Sequence, residues 1–143
     1  MGDQANEGIA LNSFGVTLQE TRRFDEAIIA FKEAAAIFQE TGYRHGVGTA
    51  LNNLGTALKE MRRFDKALGA HQDAAAILRE TGDRHGEGMA LGNLGVALRE
   101  VGQFDEAISA HQDAASIFRE TRDDHGEQQA RSNLELDRAA REP

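Results

Sequence analysis

A block of eight residues recurs three times in this chain, at intervals of forty residues. It reads GIALNSFG from residue 8, GTALNNLG from residue 48 and GMALGNLG from residue 88. Residues 41–80 and 81–120 share 26 identities over 40 positions without a gap. A fixed period of this length is typical of stacked structural repeats, each of which covers the apolar face of its neighbour. The sequence therefore predicts an array of repeats.

Apolar residues recur at helical spacing inside each unit. In the second unit a stripe from Leu51 to Leu58 precedes a second apolar segment that begins at Phe64. This periodicity predicts two amphipathic helices per unit, the first ending near Arg62 and Arg63 and the second beginning at Phe64. Each repeat is thus expected to be a helix–turn–helix unit.

Short polar segments separate the repeats. Gly82 is suited to the left-handed position that follows a helix, and Asp83 is suited to cap the next helix. Gly42 stands at the same place one repeat earlier, whereas Arg122 replaces the glycine one repeat later. We therefore expect the junction at Arg122 to be less regular than the other two.

Three glycines occupy one phase of the first helix of each repeat, at Gly15, Gly55 and Gly95. A glycine inside a helix costs about 1 kcal/mol relative to alanine, so its repetition needs a compensating reason. Close approach of the partner helix is the expected reason.

Composition restricts the class of protein. The formal charge is −8, with 24 acidic and 16 basic residues, which disfavours binding to nucleic acid. The absence of cysteine excludes disulfides and cysteine-based metal sites or nucleophiles. No run approaches the ~20 apolar residues of a membrane span, and the start lacks a signal-peptide pattern, so we expect a cytoplasmic protein without membrane partners. The excess of arginine over lysine, with abundant alanine and glycine, favours a bacterial origin.

The pattern of Leu51, Leu54-Gly55 and Leu58, followed by Phe64-Asp65, Ala67-Leu68 and His71, resembles the tetratricopeptide repeat (TPR). The period of forty and the missing proline depart from the usual 34-residue form. This variant looks most like repeats of Pins-like G-protein-signalling modulators and of actinobacterial TPR regulatory proteins. The resemblance implies an all-α, TPR-like right-handed α-solenoid with three repeats and a C-terminal capping helix. The expected single domain covers residues 1–143, with repeats at about 2–41, 42–81 and 82–121 and the capping helix at about 124–141.

The resemblance also implies a non-catalytic module that binds a protein partner, as an extended peptide or a helix, in its concave groove. Asparagines in the register of Asn53, Asn93 and Asn133 would hydrogen-bond the peptide backbone, which suits the donor and acceptor of a carboxamide. Alternatively, they are solvated polar residues retained by copying of the repeat. The predicted peptide-binding residues are Asn12, Ser13, Glu20, Thr49, Asn52, Asn53, Thr56, Lys59, Glu60, Asn93, Val96, Arg99, Glu100 and Asn133.

The charge of the ligand is left open by these residues. Glu20, Glu60 and Glu100 favour a basic or mixed-charge peptide. Lys59 and Arg99 stand next to two of these glutamates and could neutralise them within the protein.

The N-terminal edge offers a different function. No polar cap precedes residue 2, so Ile9, Leu11 and Phe14 are expected to be partly bare. The chain is then expected to be the C-terminal piece of a longer array, or to form a homo-oligomer through this self-association edge. The alternative function is therefore a structural spacer or self-association unit of a larger signalling protein.

The five histidines do not indicate a metal or catalytic site. His45, His85 and His125 repeat in separate turns, too far apart to share one zinc ion. His71 and His111 are interpreted as partly buried packing residues. The Gly46-x-Gly48 pair lacks the preceding strand of a nucleotide loop. We therefore predict neither catalytic residues nor a metal ion or cofactor.

Overall fold

The computed structural model describes residues 2–143, which form seven α-helices. In chain order they are α1 (Gly2–Glu20), α2 (Phe24–Thr41), α3 (Arg44–Glu60), α4 (Phe64–Glu80), α5 (Arg84–Glu100), α6 (Phe104–Glu120) and α7 (Asp124–Arg141). Two or three residues join successive helices, and each helix packs against the preceding and following one. The described residues thus form the expected solenoid of three helical pairs and a terminal helix. None of these helices combines the length and the hydrophobicity that a membrane span requires.

The helices form two layers. Helices α1, α3, α5 and α7 contact one another in sequence, whereas α2, α4 and α6 make no such contact with each other within residues 2–143. The side on which alternate helices approach is the inner side of a curved stack. We call α1, α3, α5 and α7 the inner helices and α2, α4 and α6 the outer helices, and the groove is the exposed surface of the inner helices.

Every connection between helices contains one residue in the left-handed conformation. Three of these residues are glycines, Gly42, Gly82 and Gly102, and three are arginines, Arg22, Arg62 and Arg122. The expectation of a less regular junction at Arg122 is wrong. Arg122 adopts a φ of 61°, and the following Asp123 amide bonds the Phe118 carbonyl at 2.8 Å, as Asp83 bonds Leu78 at 2.9 Å. Arginine accepts the strained φ here because the helices on both sides fix the turn.

The predicted N-cap at Asp83 is confirmed, and Asp123 repeats it. Asp83 Oδ1 accepts a hydrogen bond from the Gly86 amide at 2.8 Å, and Asp123 Oδ1 accepts from Gly126 at 2.9 Å. The backbone amide of Gly86, with a further hydrogen bond from His45, holds the pKa of Asp83 below its ordinary value. These caps satisfy amide groups at the starts of α5 and α7 that have no partner inside their own helix.

His45 and His85 were expected in the turns between helices, but they lie in the first turn of α3 and α5, where they pair with the capping aspartates of the next repeat. His45 Nε2 lies 2.9 Å from Asp83 Oδ2, and His85 Nε2 lies 2.9 Å from Asp123 Oδ2. In the first unit the equivalent positions carry neither partner, since residue 5 is alanine and residue 43 is tyrosine. His45 and His85 each pair with an aspartate of the following repeat, so the pair acts as a link between consecutive repeats.

The helical glycines are explained by close packing, as predicted. A Cβ atom on Gly15 would lie 2.5 Å from the Phe31 ring. On Gly55 and Gly95 it would lie 2.5 Å from the rings of His71 and His111, respectively. Each ring belongs to an outer helix and lies directly against the backbone of an inner helix, so no larger residue fits without displacing it.

Two glycines on α5 should therefore respond to alanine in opposite directions. Gly95→Ala is expected to destabilise the protein by about 1–3 kcal/mol, because the buried His111 ring cannot move away from the new methyl group. Gly92→Ala places its methyl group in open space and should stabilise the helix by up to about 1 kcal/mol. Urea unfolding followed by circular dichroism measures both changes. Effects of the same sign would contradict this account of the packing.

Candidate functional site

Asparagines of neighbouring inner helices are hydrogen-bonded to one another along the groove. Asn53 Nδ2 donates to Asn12 Oδ1 at 3.1 Å, and Asn93 Nδ2 donates to Asn52 Oδ1 at 3.2 Å. The two pairs occupy equivalent positions one repeat apart, and we call them the asparagine ladder. All four side chains are half-buried, so the ladder forms a polar floor of the groove.

The asparagine ladder is also attached to the outer layer in the second repeat. His71 Nδ1 lies 2.8 Å from Asn52 Oδ1, and because that oxygen only accepts, Nδ1 donates. His71 Nε2 has no hydrogen-bond partner among the described residues. Burial, together with the nearby Lys59 ammonium, lowers the pKa of His71 to about 4. This ring is therefore a neutral packing residue with one polar contact.

The next step of the ladder is missing because Gly92 stands where the earlier repeats have Asn12 and Asn52. A Cβ atom on Gly92 would meet no atom within 4 Å, so packing does not require glycine there. A cavity of about 310 Å³ opens at this place between α3, α5 and α7. We call it the C-terminal cavity, and its lining includes Lys59, Met89, Asn93, Val96, Gln129 and Asn133.

A smaller cavity lies at the equivalent place near the other end of the groove. It has a volume of about 150 Å³, and its lining includes Ile9, Asn12, Ser13, Tyr43 and Thr49. Asn12 occupies here the position that Gly92 occupies in the C-terminal cavity. The missing side chain at residue 92 therefore accounts for part of the larger volume.

A charged network is buried beneath the C-terminal cavity. Asp137 on α7 accepts from Arg99 Nη1 at 2.8 Å through Oδ1, and its Oδ2 lies 2.5 Å from His111 Nδ1. His111 Nε2 lies 3.1 Å from the Gly92 carbonyl oxygen. Both ring nitrogens of His111 therefore lie within hydrogen-bond distance of an oxygen atom. His111 and Asp137 are both 0% exposed, and the network joins α5, α6 and α7.

The two buried histidines differ from their prediction. His71 and His111 are completely buried, and both are hydrogen-bonded, whereas the sequence indicated partial burial and packing alone. Asp137 had no predicted role. Its signal in the sequence is that it stands where the earlier repeats have Ala57 and Ala97.

The structure places the predicted peptide-binding residues in different surroundings. Seven of them line the two cavities: Asn12, Ser13, Thr49, Lys59, Asn93, Val96 and Asn133. Asn52 and Asn53 belong to the asparagine ladder. The carboxylates of Glu20, Glu60 and Glu100 are exposed at the C-terminal ends of inner helices and line neither cavity.

Besides the asparagines of the ladder, Thr49, Thr56 and Arg99 are also engaged within the protein. Thr49 Oγ1 donates to the His45 carbonyl at 3.0 Å, and Thr56 Oγ1 donates to the Asn52 carbonyl at 3.2 Å. Arg99 bonds Asp137 and also reaches Asn133 Oδ1 at 3.3 Å. Of the two cations predicted at the groove, Lys59 is the one without an ion pair in residues 2–143.

The structure separates the three predicted edge residues. Phe14 and Leu11 line an apolar cavity of about 230 Å³ together with Leu18 and Ile29. Phe14 is 55% exposed and Ile29 is 58% exposed. Ile9 instead lines the small cavity of the groove. The bare N-terminal edge thus contains Phe14 and also Ile29, which the repeat pattern did not indicate.

The described residues contain no group of three or more histidine, aspartate or glutamate side chains placed to hold a metal ion. The polar side chains that line the two cavities of the groove include carboxamides, hydroxyls and the ammonium group of Lys59. They can donate and accept hydrogen bonds along an extended surface, which is chemistry suited to recognition.

Comparison with known proteins identifies the repeat. A family model described as tetratricopeptide repeat matches residues 6–80 and 51–120. A search of curated proteins gives no significant match.

Similar helical stacks occur among solved structures. BtubC (BKLC) from P. vanneervenii has a TM-score of 0.84 at 22% sequence identity, over 93% of this chain and 56% of that protein. The apo form of RapI has a TM-score of 0.87 at 16% identity, over 96% of this chain and 38% of RapI. The first TPR of Spaghetti (RPAP3), bound to the HSP90 peptide SRMEEVD, has a TM-score of 0.76 at 16% identity, over 95% and 94% of the two chains. At these identities the similarity establishes the fold, and this chain spans little more than half the length of BtubC.

Proposed function

Because the chain belongs to the tetratricopeptide repeat family, which generally mediates protein–protein interaction, we propose that it is a non-catalytic module that binds a partner protein in its groove. The bound segment is an extended peptide or a helix. The observation that carries this proposal is the polar groove itself, where asparagine side chains of successive inner helices face solvent beside two cavities in equivalent positions. The forty-residue period further supports a relationship to the Pins-like and actinobacterial forms of the repeat.

The free groups of the groove support a peptide as ligand. Each ladder donor, Asn53 or Asn93, uses Nδ2 within the protein and keeps Oδ1 for an incoming amide. A peptide backbone offers donors and acceptors at regular intervals, which matches a row of carboxamides. A structural neighbour with a bound HSP90 peptide is an example of such a helical stack that holds a peptide.

The test is selection of binders from a random peptide library on the purified protein. Asn53→Ala combined with Asn93→Ala is expected to weaken the selected peptides by more than about tenfold, because each substitution removes a hydrogen-bonding group from the groove. The control is Gln72→Ala combined with Gln112→Ala, which removes two exposed carboxamides from the outer helices α4 and α6. Equal loss in both double variants, or no selected peptide, would overturn the proposal.

A second function is favoured by the exposed apolar edge. We infer that Phe14 and Ile29 allow self-association of the chain, because exposed aromatic and aliphatic side chains around an apolar cavity mark an interaction surface. Sedimentation should then show a concentration-dependent dimer that Phe14→Glu abolishes. Ile9→Glu is the control, since Ile9 lies in the groove, and it should leave the dimer intact. A monomer at all concentrations would refute self-association and leave peptide binding unaffected.

A further inference from the structure

The asparagine ladder lacks one acceptor side chain, at Gly92, and Gly92 lines the C-terminal cavity. In the two observed steps, Asn53 donates to Asn12 and Asn93 donates to Asn52, in each case on the preceding inner helix. Asn133 is the next donor in this series, and its counterpart on α5 is Gly92. Asn133 Oδ1 is held by Arg99 Nη1 and Nη2, each at 3.3 Å. Its Nδ2 has no partner among residues 2–143.

Other polar groups at this cavity are also free. The Gln129 amide and the Lys59 ammonium line the cavity and make no hydrogen bond to another protein group in the described part of the chain. Asn93 uses Nδ2 in the ladder and keeps Oδ1 free. Met89 and Val96 add apolar surface to the same walls. The cavity thus offers several donors, few acceptors and an apolar side.

We propose that the C-terminal cavity is a specificity subsite for one asparagine or aspartate side chain of the bound segment. The Oδ1 atom of that side chain occupies the place of the missing acceptor at residue 92 and accepts from Asn133 Nδ2. The volume of about 310 Å³ is at the lower end of the range for small-ligand sites, which suits one short side chain and its flanking backbone. The inference rests on the proposed function, because the subsite lies in the groove.

Discrimination follows from the unpaired donors. An aliphatic side chain in this cavity would cover the Asn133 amide without supplying an acceptor, and an unsatisfied buried donor costs more than a hydrogen bond gains. Asparagine and aspartate share the required Oδ1 atom at the same distance from the backbone. Glutamine and glutamate place their acceptor one methylene further out, which does not match the ladder position.

The experiment compares peptide selection on three proteins. A random peptide library is selected on the wild type, on Gly92→Asn and on Gly69→Asn. The Gly92→Asn substitution supplies the missing asparagine side chain from the protein itself. Gly69 is the control because it lies on the outer helix α4 and its Cβ would also meet no atom within 4 Å. We expect asparagine or aspartate to be enriched at one peptide position on the wild type and on Gly69→Asn. On Gly92→Asn this enrichment should vanish, and the best wild-type peptides should bind about tenfold more weakly.

A second variant keeps the cavity open. Asn133→Ala removes the donor, and it should abolish the same enrichment without filling the cavity. Replacing the enriched peptide residue with alanine should weaken binding to the wild type and leave binding to Asn133→Ala almost unchanged. Circular dichroism and urea unfolding establish that both variants are folded.

The outcomes separate the two proposals. If peptides are selected without asparagine or aspartate enrichment, or if Gly92→Asn and Asn133→Ala retain it, the subsite is refuted while groove binding stands. If no peptide is selected on any of the proteins, the groove function fails and the subsite fails with it. Enrichment of both asparagine and aspartate confirms recognition through Oδ1. Enrichment of aspartate alone shows that the Lys59 charge selects the side chain, and it contradicts the proposal that the missing ladder acceptor does so.

Discussion

Replacing Asp137 with alanine is expected to lower the free energy of unfolding by about 3–5 kcal/mol, the usual cost of removing one partner from a buried ion pair. Asp137 is fully buried and accepts from Arg99 and His111. Without it, His111 Nδ1 is a buried donor that faces no acceptor, and the Arg99 guanidinium loses its counter-charge. Urea unfolding measures the change, and Glu135→Ala, an exposed carboxylate on the same helix, is the control with an expected change near zero.

A double variant distinguishes lost charge pairing from lost packing. Positions 111 and 137 correspond to Phe31 and Ala57 two repeats earlier, and those two residues belong to one apolar core cluster. His111→Phe combined with Asp137→Ala recreates that pair. It should recover most of the lost stability, because replacing a buried ion pair by apolar residues is often neutral or stabilising. A coupling of at least about 2 kcal/mol is expected in the double-mutant cycle, and additive losses would contradict the network.

Much of the fold follows from the repeat. The helix start at Phe64 and the left-handed residue at Gly82 were predictable, because each depends on local periodicity and local backbone preference. The close packing at Gly55 was also predictable, because a glycine inside a helix is destabilising unless close packing requires it. Arg122 shows the limit of such reasoning, since packing on both sides imposes a conformation that the residue itself disfavours.

The groove residues were predictable by register, but their mutual contacts were not. Periodicity places Asn52 and Asn53 on an inner helix without telling which neighbour each will reach. Asn53 bonds Asn12 on the preceding inner helix, and Asn52 bonds Asn93 on the following inner helix. The two residues of each pair are 41 positions apart in the chain. Hydrogen bonds of this kind depend on the distance between adjacent inner helices, which the sequence pattern does not contain.

The buried network left a signal that only the comparison of repeats reveals. Gly92 stands where the first two repeats have asparagine, and Asp137 stands where the second and third repeats have alanine. Both departures meet at His111, which bonds the Gly92 carbonyl and the Asp137 carboxylate. In the second repeat, the acceptor for His71 Nδ1 is the side chain of Asn52. In the third repeat, where Gly92 replaces that asparagine, the acceptor for His111 Nδ1 is the side chain of Asp137. These two departures from the repeat therefore compensate one another in space.

The equivalent histidine of the second repeat should make the protein sensitive to acid. His71 Nδ1 donates to Asn52, and Nε2 is buried without a partner among the described residues, so a second proton would create an unsatisfied buried donor. The pKa of His71 is lowered from 6.5 to about 4, mainly by burial and then by the Lys59 charge. The unfolded chain therefore takes up a proton at a higher pH than the folded protein does. The contribution of neutral His71 is complete above pH 6.5 and is lost as the pH falls toward 4.

The expected loss from this one group is about 1.4 kcal/mol for each pH unit inside that window, reaching up to about 3 kcal/mol at its acid end. His71→Phe is the matched variant, because Phe31 fills the equivalent position over Gly15 in the first repeat. Urea unfolding of both proteins at about pH 7, 6 and 5 should show the wild type losing stability relative to His71→Phe on acidification. Lys59→Gln, which copies Gln19 of the first repeat, should reduce the difference by removing the second cause of the lowered pKa. Parallel pH profiles for the wild type and His71→Phe would show that His71 titrates alike in both states and would contradict the neutral, buried ring.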